Sequence, residues 1–146
     1  MYKKILFPTS GSPISEKIAE TIIKLINNKD EAEITILYVM KIPQMYGDVP
    51  YQLEGEGVDT SQIALEDAQR VLAKATKVFD DNKVPYTIRI EFGDPVKNII
   101  KVAQETNSEL MVVGHHGESK LSDYLFKGNV TSQLINNATC PVLVVK

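Results

Sequence analysis

Val112-Val113-Gly114-His115-His116-Gly117 carries the strongest structural signal in this chain. An apolar strand, Leu110 to Val113, runs straight into two glycines. Ten residues, Glu118 to Lys127, then separate Gly117 from a second piece, Gly128-Asn129-Val130-Thr131, which opens a helix carrying Val130, Leu134 and Ile135. Glycine lets backbone N–H groups come close to an anion, and a helix N-terminus adds partial positive charge. Strand, glycine loop and helix start together make a candidate phosphate cradle.

Helical and strand periods alternate along the rest of the chain. Ile5-Leu6-Phe7 reads as a buried strand bounded by Pro8 and the turn formers Thr9-Ser10-Gly11-Ser12. Ser12 is the expected N-cap of a helix with Pro13 in its first position, and Ile14, Ile18, Ile22 and Ile26 mark its buried face. Ile34 to Val39 is nearly continuous in apolar and β-branched residues, which suits a strand covered on both faces. A long loop from Lys41 to Val58 leads to a helix from about Asp59, with Ala64, Ala68, Val71, Leu72, Ala75, Val78 and Phe79 at helical spacing. Tyr86 to Phe92 alternates apolar with polar residues, the pattern of a sheet edge. Asp94 and Pro95 read as the N-cap and first position of a helix whose Val96, Ile99, Ile100 and Ala103 face inward. Val142 to Val145 is the last strand.

Five strands alternating with four helices predict an α/β fold, a doubly wound parallel sheet in one domain spanning 1–146. Ligands of such sheets bind at the strand C-termini, so the tips Pro8 to Ser12 and Gly114 to Gly117 matter most. With 43% hydrophobic and 24% charged residues the chain has the composition of a globular protein. A net charge of −3 gives no reason to expect nucleic-acid binding, and no apolar run is long enough for a membrane span. The few apolar residues before Pro8 are too short for a signal-peptide core. One cysteine, Cys140, cannot form an internal disulfide, and the expected compartment is the cytoplasm.

With these residues quoted, the chain resembles the universal stress protein family along its whole length. The resemblance is carried by Lys4-Ile5-Leu6-Phe7-Pro8-Thr9, Gly93-Asp94-Pro95, Val113-Gly114-His115-His116-Gly117, Gly128-Asn129-Val130-Thr131 and Cys140-Pro141-Val142-Leu143-Val144-Val145. It implies a Rossmann-like five-stranded parallel sheet in order 3-2-1-4-5, with helices on both faces. It also implies an ATP site, with Pro8, Thr9 and Ser10 lining base and ribose. Val39 would bond adenine through its backbone, Gly114 would approach the ribose, and Gly117, Gly128, Asn129 and Val130 would cradle the phosphates. Mg2+ or Mn2+ on the phosphates fits a loop with only Lys120 and Lys127 nearby. The function implied is an ATP-binding dimeric regulator or switch of a stress response, without robust turnover. Its copies would pair through Val142–Val145, and its further protein partner is unknown.

Three features depart from the family's ATP-binding pattern of Gly, two residues, Gly, nine residues, Gly, then Ser or Thr. The glycine spacing is ten residues, Asn129 replaces the hydroxyl residue, and Ser10 stands where an aspartate commonly holds the ribose. These support an alternative, a dimeric interaction module of the same fold without nucleotide. A third reading is enzymatic. Ser10-Gly11-Ser12-Pro13-Ile14-Ser15 faintly resembles the Ser-Gly-Gly-x-Asp-Ser loop of ATP pyrophosphatases, but Ile14 replaces its aspartate. No catalytic or protein-held metal site is expected. His115 and His116 are adjacent with no spaced partner, and Ser10, Ser12, Cys140 and Asp123 read as turn, cap, packing or solvated residues.

Overall fold

The computed structural model describes residues 2–40, 60–115 and 130–146. Its elements are β1 Lys4–Pro8, α1 Ser15–Leu25, β2 Glu33–Met40, α2 Thr60–Val71, α3 Ala73–Asp81, β3 Tyr86–Phe92, α4 Pro95–Glu105, β4 Leu110–Gly114, α5 Val130–Asn137 and β5 Val142–Val145. The strands form one five-stranded sheet in the order β3-β2-β1-β4-β5, and every neighbouring pair is parallel. The expected topology is therefore present, with β3 at an edge as its half-polar alternation indicated.

Strand periodicity of two sends alternate side chains to opposite faces, and each face has its own core. Ile5, Phe7, Ile34, Ile36 and Val112 meet Ile18 and Ile22 of α1, Ala68 of α2, and Ala75 and Phe79 of α3. Leu6, Leu37, Val39, Met111 and Val113 meet Ile99, Val102 and Ala103 of α4 and Leu134 of α5. Val102 is fully buried and was missed by the sequence reading, whereas Val96 and Ile100 are half-buried.

Two helix assignments are corrected by the structure. Ser12 does not cap α1 with its side chain. Its carbonyl accepts the Ser15 N–H at 2.9 Å in a turn, and the helix begins at Ser15 with Ile14 as the uncapped flanking residue. The physical reason is visible at Gly114, where an added Cβ would lie 2.9 Å from Ile14 Cγ2. Ile14 is used to seal α1 against β4 before regular helix starts. The helix over residues 60–81 is divided at Leu72 into α2 and α3. Hydrogen bonds nevertheless bracket the junction, from Leu72 N–H to Ala68 C=O (2.8 Å) and from Thr76 N–H to Leu72 C=O (3.0 Å). Asp94 behaves as expected, its carboxylate accepting the Lys97 N–H at 2.9 Å with Pro95 opening α4.

Candidate functional site

The sheet brings β1 and β4 side by side, so the loops that follow them leave from one place on its C-terminal rim. Connections run outward in opposite directions from these two strands, which makes this the topological switch point of the sheet.

On the β1 side, Pro8 and Thr9 are buried and Ser10 is half-buried. Thr9 N–H donates to Leu37 C=O at 2.9 Å, and Thr9 Oγ1 accepts the Gly11 N–H at 3.1 Å. This local turn is possible because Gly11 has φ +81°. Gly11 also lies directly under the end of α2, where an added Cβ would sit 2.6 Å from the Val71 carbonyl oxygen. Position 11 requires glycine on both counts.

Val39 side chain is buried, so only its backbone can serve a ligand. Strand alternation fixes where that backbone points. Leu37 C=O is bonded to β1, and Met40 C=O accepts Gly93 N–H at 3.0 Å on the other side. The Val39 carbonyl is thus directed toward β1, beyond Thr9. The Gly11 N–H that would meet it in a continued ladder is turned to Thr9 instead. A carbonyl aimed past the end of its partner strand is a suitable acceptor for an exocyclic amine such as that of adenine.

On the β4 side, Gly114 is buried and His115 half-buried, with His115 N–H donating to Val145 C=O at 2.8 Å. The open side of Gly114 faces Ile14 and Ile18 of α1, so one role of this glycine is close packing. Val130 and Thr131 are buried at the start of α5, and Thr131 Oγ1 reaches Gly114 C=O at 3.4 Å. That contact sets the N-terminus of α5, with its outward N–H groups, beside the β4 tip.

The structure therefore brings together Pro8, Thr9, Ser10, Val39, Gly114 and Val130 around one rim. Gly117, Gly128, Asn129, His116, Lys120, Asp123, Lys127 and the loop from Lys41 to Val58 lie outside the described residues. Near the same rim, Tyr38 OH contacts Asp67 Oδ2 of α2 at 3.5 Å. Burial raises the Tyr38 phenol, and the Asp67 carboxylate raises it further, so it stays protonated. Among the described residues no group of three or more His, Cys, Asp or Glu side chains is placed to hold a metal ion. Nor is any helix among them long and apolar enough to cross a membrane.

Sequence reading missed a polar depression of about 420 Å3 at the opposite, N-terminal ends of β1–β3, lined by Lys4, Glu33, Thr35, Thr87, Thr106 and Ser108. No local motif marks it, because its walls come from four separate segments. Its place at the N-terminal ends of the strands is the end of a doubly wound sheet that ligands do not ordinarily use.

A doubly wound parallel sheet with its switch point between β1 and β4 defines the class: a Rossmann-like α/β protein. The model of the universal stress protein family matches residues 1–146, and the chain belongs to that family. Universal stress protein MJ0531 of Methanocaldococcus jannaschii is 33% identical over 146 residues, covering all of this chain and 83% of that protein. Universal stress protein MJ0577 of the same organism is 29% identical over 157 residues, covering 100% of this chain and 96% of that protein. The solved structure of MJ0577 superposes with a TM-score of 0.72 at 27% identity, over 100% of this chain and 96% of that one. A universal stress protein crystallised in complex with cAMP has the same fold, with a TM-score of 0.69 at 17% identity over 99% of this chain and 97% of that one.

Proposed function

We propose that this protein is an adenine-nucleotide-binding, homodimeric regulator of the cytoplasm, taking ATP at the β1/β4 crevice and acting as a switch without robust turnover. The observation that carries the reading is the Val39 carbonyl, directed into the crevice past the end of β1 because Gly11 N–H is turned to Thr9. The cAMP complex of a protein with this fold supports an adenine ligand for the architecture. In this reading Pro8, Thr9 and Ser10 line the base and ribose, and Gly114 lies against the ribose. Gly117, Gly128, Asn129 and Val130 cradle the phosphates, with the N-terminus of α5 adding a favourable dipole. Mg2+ or Mn2+ would ride on the phosphate oxygens, supplying charge neutralisation there.

Dimer formation is supported by β5. It is an edge strand of four apolar residues, with Val142, Leu143 and Val144 half-buried and Ile135 of neighbouring α5 54% exposed. An apolar edge is protected when a second copy covers it.

Calorimetric titration with ATP and Mg2+ tests the nucleotide. Saturable binding below millimolar concentration is expected, and no saturable heat up to about 1 mM, a binding free energy of about 4 kcal/mol, would refute it. Native mass spectrometry of the purified protein reads the dimer, and a monomer at micromolar concentration would refute the β5 pairing. One second reading has a specific basis. Ser10, Asn129 and the ten-residue glycine spacing favour an interaction module without nucleotide, which the same titration would reveal.

A further inference from the structure

The polar depression at the N-terminal ends of β1–β3 lies at the far end of the sheet from the β1/β4 tips. It opens on the α4 face. Leu6 and Leu37 pack against α4, and strand alternation puts Lys4, Glu33 and Thr35 on their side of the sheet. Tyr86 and Ile88 belong to the other core, so Thr87 also faces α4. Thr35 stands directly opposite Thr87, and Lys4 directly opposite Glu33. Glu105, the last residue of α4, is bonded to Arg89 of β3, so Thr87 lies past the end of the helix. Thr106 and Ser108 form the remaining wall as the chain turns back toward β4.

The hydrogen-bond polarity of that wall is fixed. The last carbonyls of α4 are already taken: Val102 C=O by Thr106 N–H at 2.9 Å, Ala103 C=O by Ser108 N–H at 3.0 Å, and Gln104 C=O by Asn107 N–H at 3.2 Å. Thr106 Oγ1 donates its one hydrogen to Val102 C=O at 2.7 Å. The 2.7 Å bond between Thr106 Oγ1 and Ser108 Oγ is then donated by Ser108. Ser108 Oγ is left with lone pairs only, and it needs a donor from outside. Thr35 and Thr87 have no hydroxyl partner among the described residues, so each can both donate and accept.

Charge narrows the choice of ligand. Lys4 Nζ is 3.9 Å from Glu33 Oε2, and nearby Lys3 faces Glu31 while Arg89 faces Glu91 and Glu105. Each of these cations already has a carboxylate, and the C-terminal end of α4 adds partial negative charge. A phosphate or sulfate would bring only acceptors to Ser108 Oγ, at a place with no surplus cation. An ammonium would meet Lys4. A nucleobase would find no aromatic face, since the Tyr86 ring packs on Phe79 in the other core, centroids 5.8 Å apart. A neutral ligand whose groups donate and accept alike remains, and hydroxyls are that chemistry. The volume, about 420 Å3, is ordinary for a small-molecule site.

We propose that this depression is a second small-molecule site, taking a neutral polyhydroxylated ligand, a sugar or an open-chain polyol. Ser108 Oγ accepts from one ligand hydroxyl, and Thr35 and Thr87 exchange hydrogen bonds with others. Lys4 and Glu33 supply one donor and one acceptor at the strand starts. The site does not depend on the nucleotide reading, which concerns the other end of the sheet.

The test is an NMR titration of the isotope-labelled full chain with glucose, with sorbitol and, separately, with sodium sulfate. Saturable shifts clustered at Thr35, Thr87, Thr106 and Ser108 are expected, half complete at about 10 mM glucose or sorbitol, because a few neutral hydrogen bonds open to water give weak affinity. Thr35→Val keeps the β-branched shape and removes the hydroxyl, while Ser108→Ala removes the acceptor. Each should weaken binding about five- to tenfold. A response to one of the two compounds alone supports the site and names its ligand. Shifts that stay linear to about 100 mM for both would overturn the proposal, as would natural affinity in both variants. Saturation of the same residues by sulfate at lower concentration than by glucose or sorbitol would overturn the neutral ligand class.

Discussion

Gly11→Ala is the substitution whose effect the structure specifies most sharply. Gly11 has φ +81°, and a Cβ there would lie 2.5 Å from Val71 Cγ1 and 2.6 Å from the Val71 carbonyl oxygen. Carbon atoms at rest sit about 3.5–4.0 Å apart, so the new methyl arrives about 1 Å too close to two atoms. The left-handed backbone costs an L-residue roughly 1–2 kcal/mol, and overpacking of this kind adds about 1–3 kcal/mol. Reduced freedom of the unfolded chain returns about 0.4–1 kcal/mol. The expected net loss is about 2–4 kcal/mol, to be read from the midpoint and slope of urea denaturation. A second variant, Val71→Ala, separates the causes. It removes Cγ1 but leaves the carbonyl and the positive φ, so the double variant should recover less than about 1 kcal/mol beyond additivity. Complete rescue by Val71→Ala would show that side-chain crowding alone dictates glycine here. A Gly11→Ala protein within about 0.5 kcal/mol of the natural one would refute the account of this loop altogether.

Other parts of the chain carry expectations of their own. Lys83 is exposed and has φ 57° where the chain leaves α3, so Lys83→Gly should stabilise by about 0.5–1 kcal/mol in urea denaturation, after the greater unfolded freedom of glycine is set against the relieved strain. A destabilised variant would contradict it. Glu109 Oε1 accepts the backbone N–H groups of Lys3 at 3.1 Å and Lys4 at 2.9 Å. The Lys4 N–H, and after it the Lys3 N–H, hold its carboxyl below the ordinary glutamate range. A lowered folded value means that its contribution is present above the unfolded value and is lost as pH falls through the folded one. The stability gap between the natural chain and Glu109→Gln should therefore be full at neutral pH and close in acid. A gap independent of pH would remove the carboxylate's charge from the explanation.

The order of elements was legible because each period is unmixed: apolar runs in β1, β2 and β4, four-residue isoleucine spacing in α1, polar alternation in β3. The Asp94-Pro95 start of α4 was legible for the same reason, since cap and first position are local chemistry. Ser12-Pro13 carried the same local signal and was misleading. There the tertiary demand won, because Ile14 must reach the face of β4 left open by Gly114. The division at Leu72 has no local signal, for neither glycine nor proline lies near it and Leu72 itself is fully buried. Val102 escaped because the apolar stripe of α4 was drawn through Val96 and Ile100 instead. Of the candidate site, residues 8–10, 39, 114 and 130 were proposed from sequence, but the direction of the Val39 carbonyl required the strand order and register. Pro8 was visible as a turn signal. That it ends the central strand could be seen only once β1 stood between β2 and β4.

The two free edges of the sheet are treated differently, and the difference bears on assembly. On β3, Arg89 is bonded to Glu91 and to Glu105 of α4, and Glu91 also meets Lys101 of α4 at 2.6 Å. The hydrogen bond from Lys101, aided by Arg89, holds the Glu91 carboxyl below its ordinary range, so the network is charged at neutral pH. Charged side chains on an edge strand discourage another strand from docking there. Strand β5 carries no charge between Val142 and Val145, and Ile135 of α5 is 54% exposed. If both edges had merely been left to solvent, both would need such protection. Only β3 carries such charges, and the contrast supports the proposed pairing of two copies through β5. Pairing there would leave the β1 tip one strand removed from the contact, because β4 stands between β1 and β5. The proposed dimer contact and the proposed ligand site would then occupy different parts of one small sheet, as the proposed switch requires.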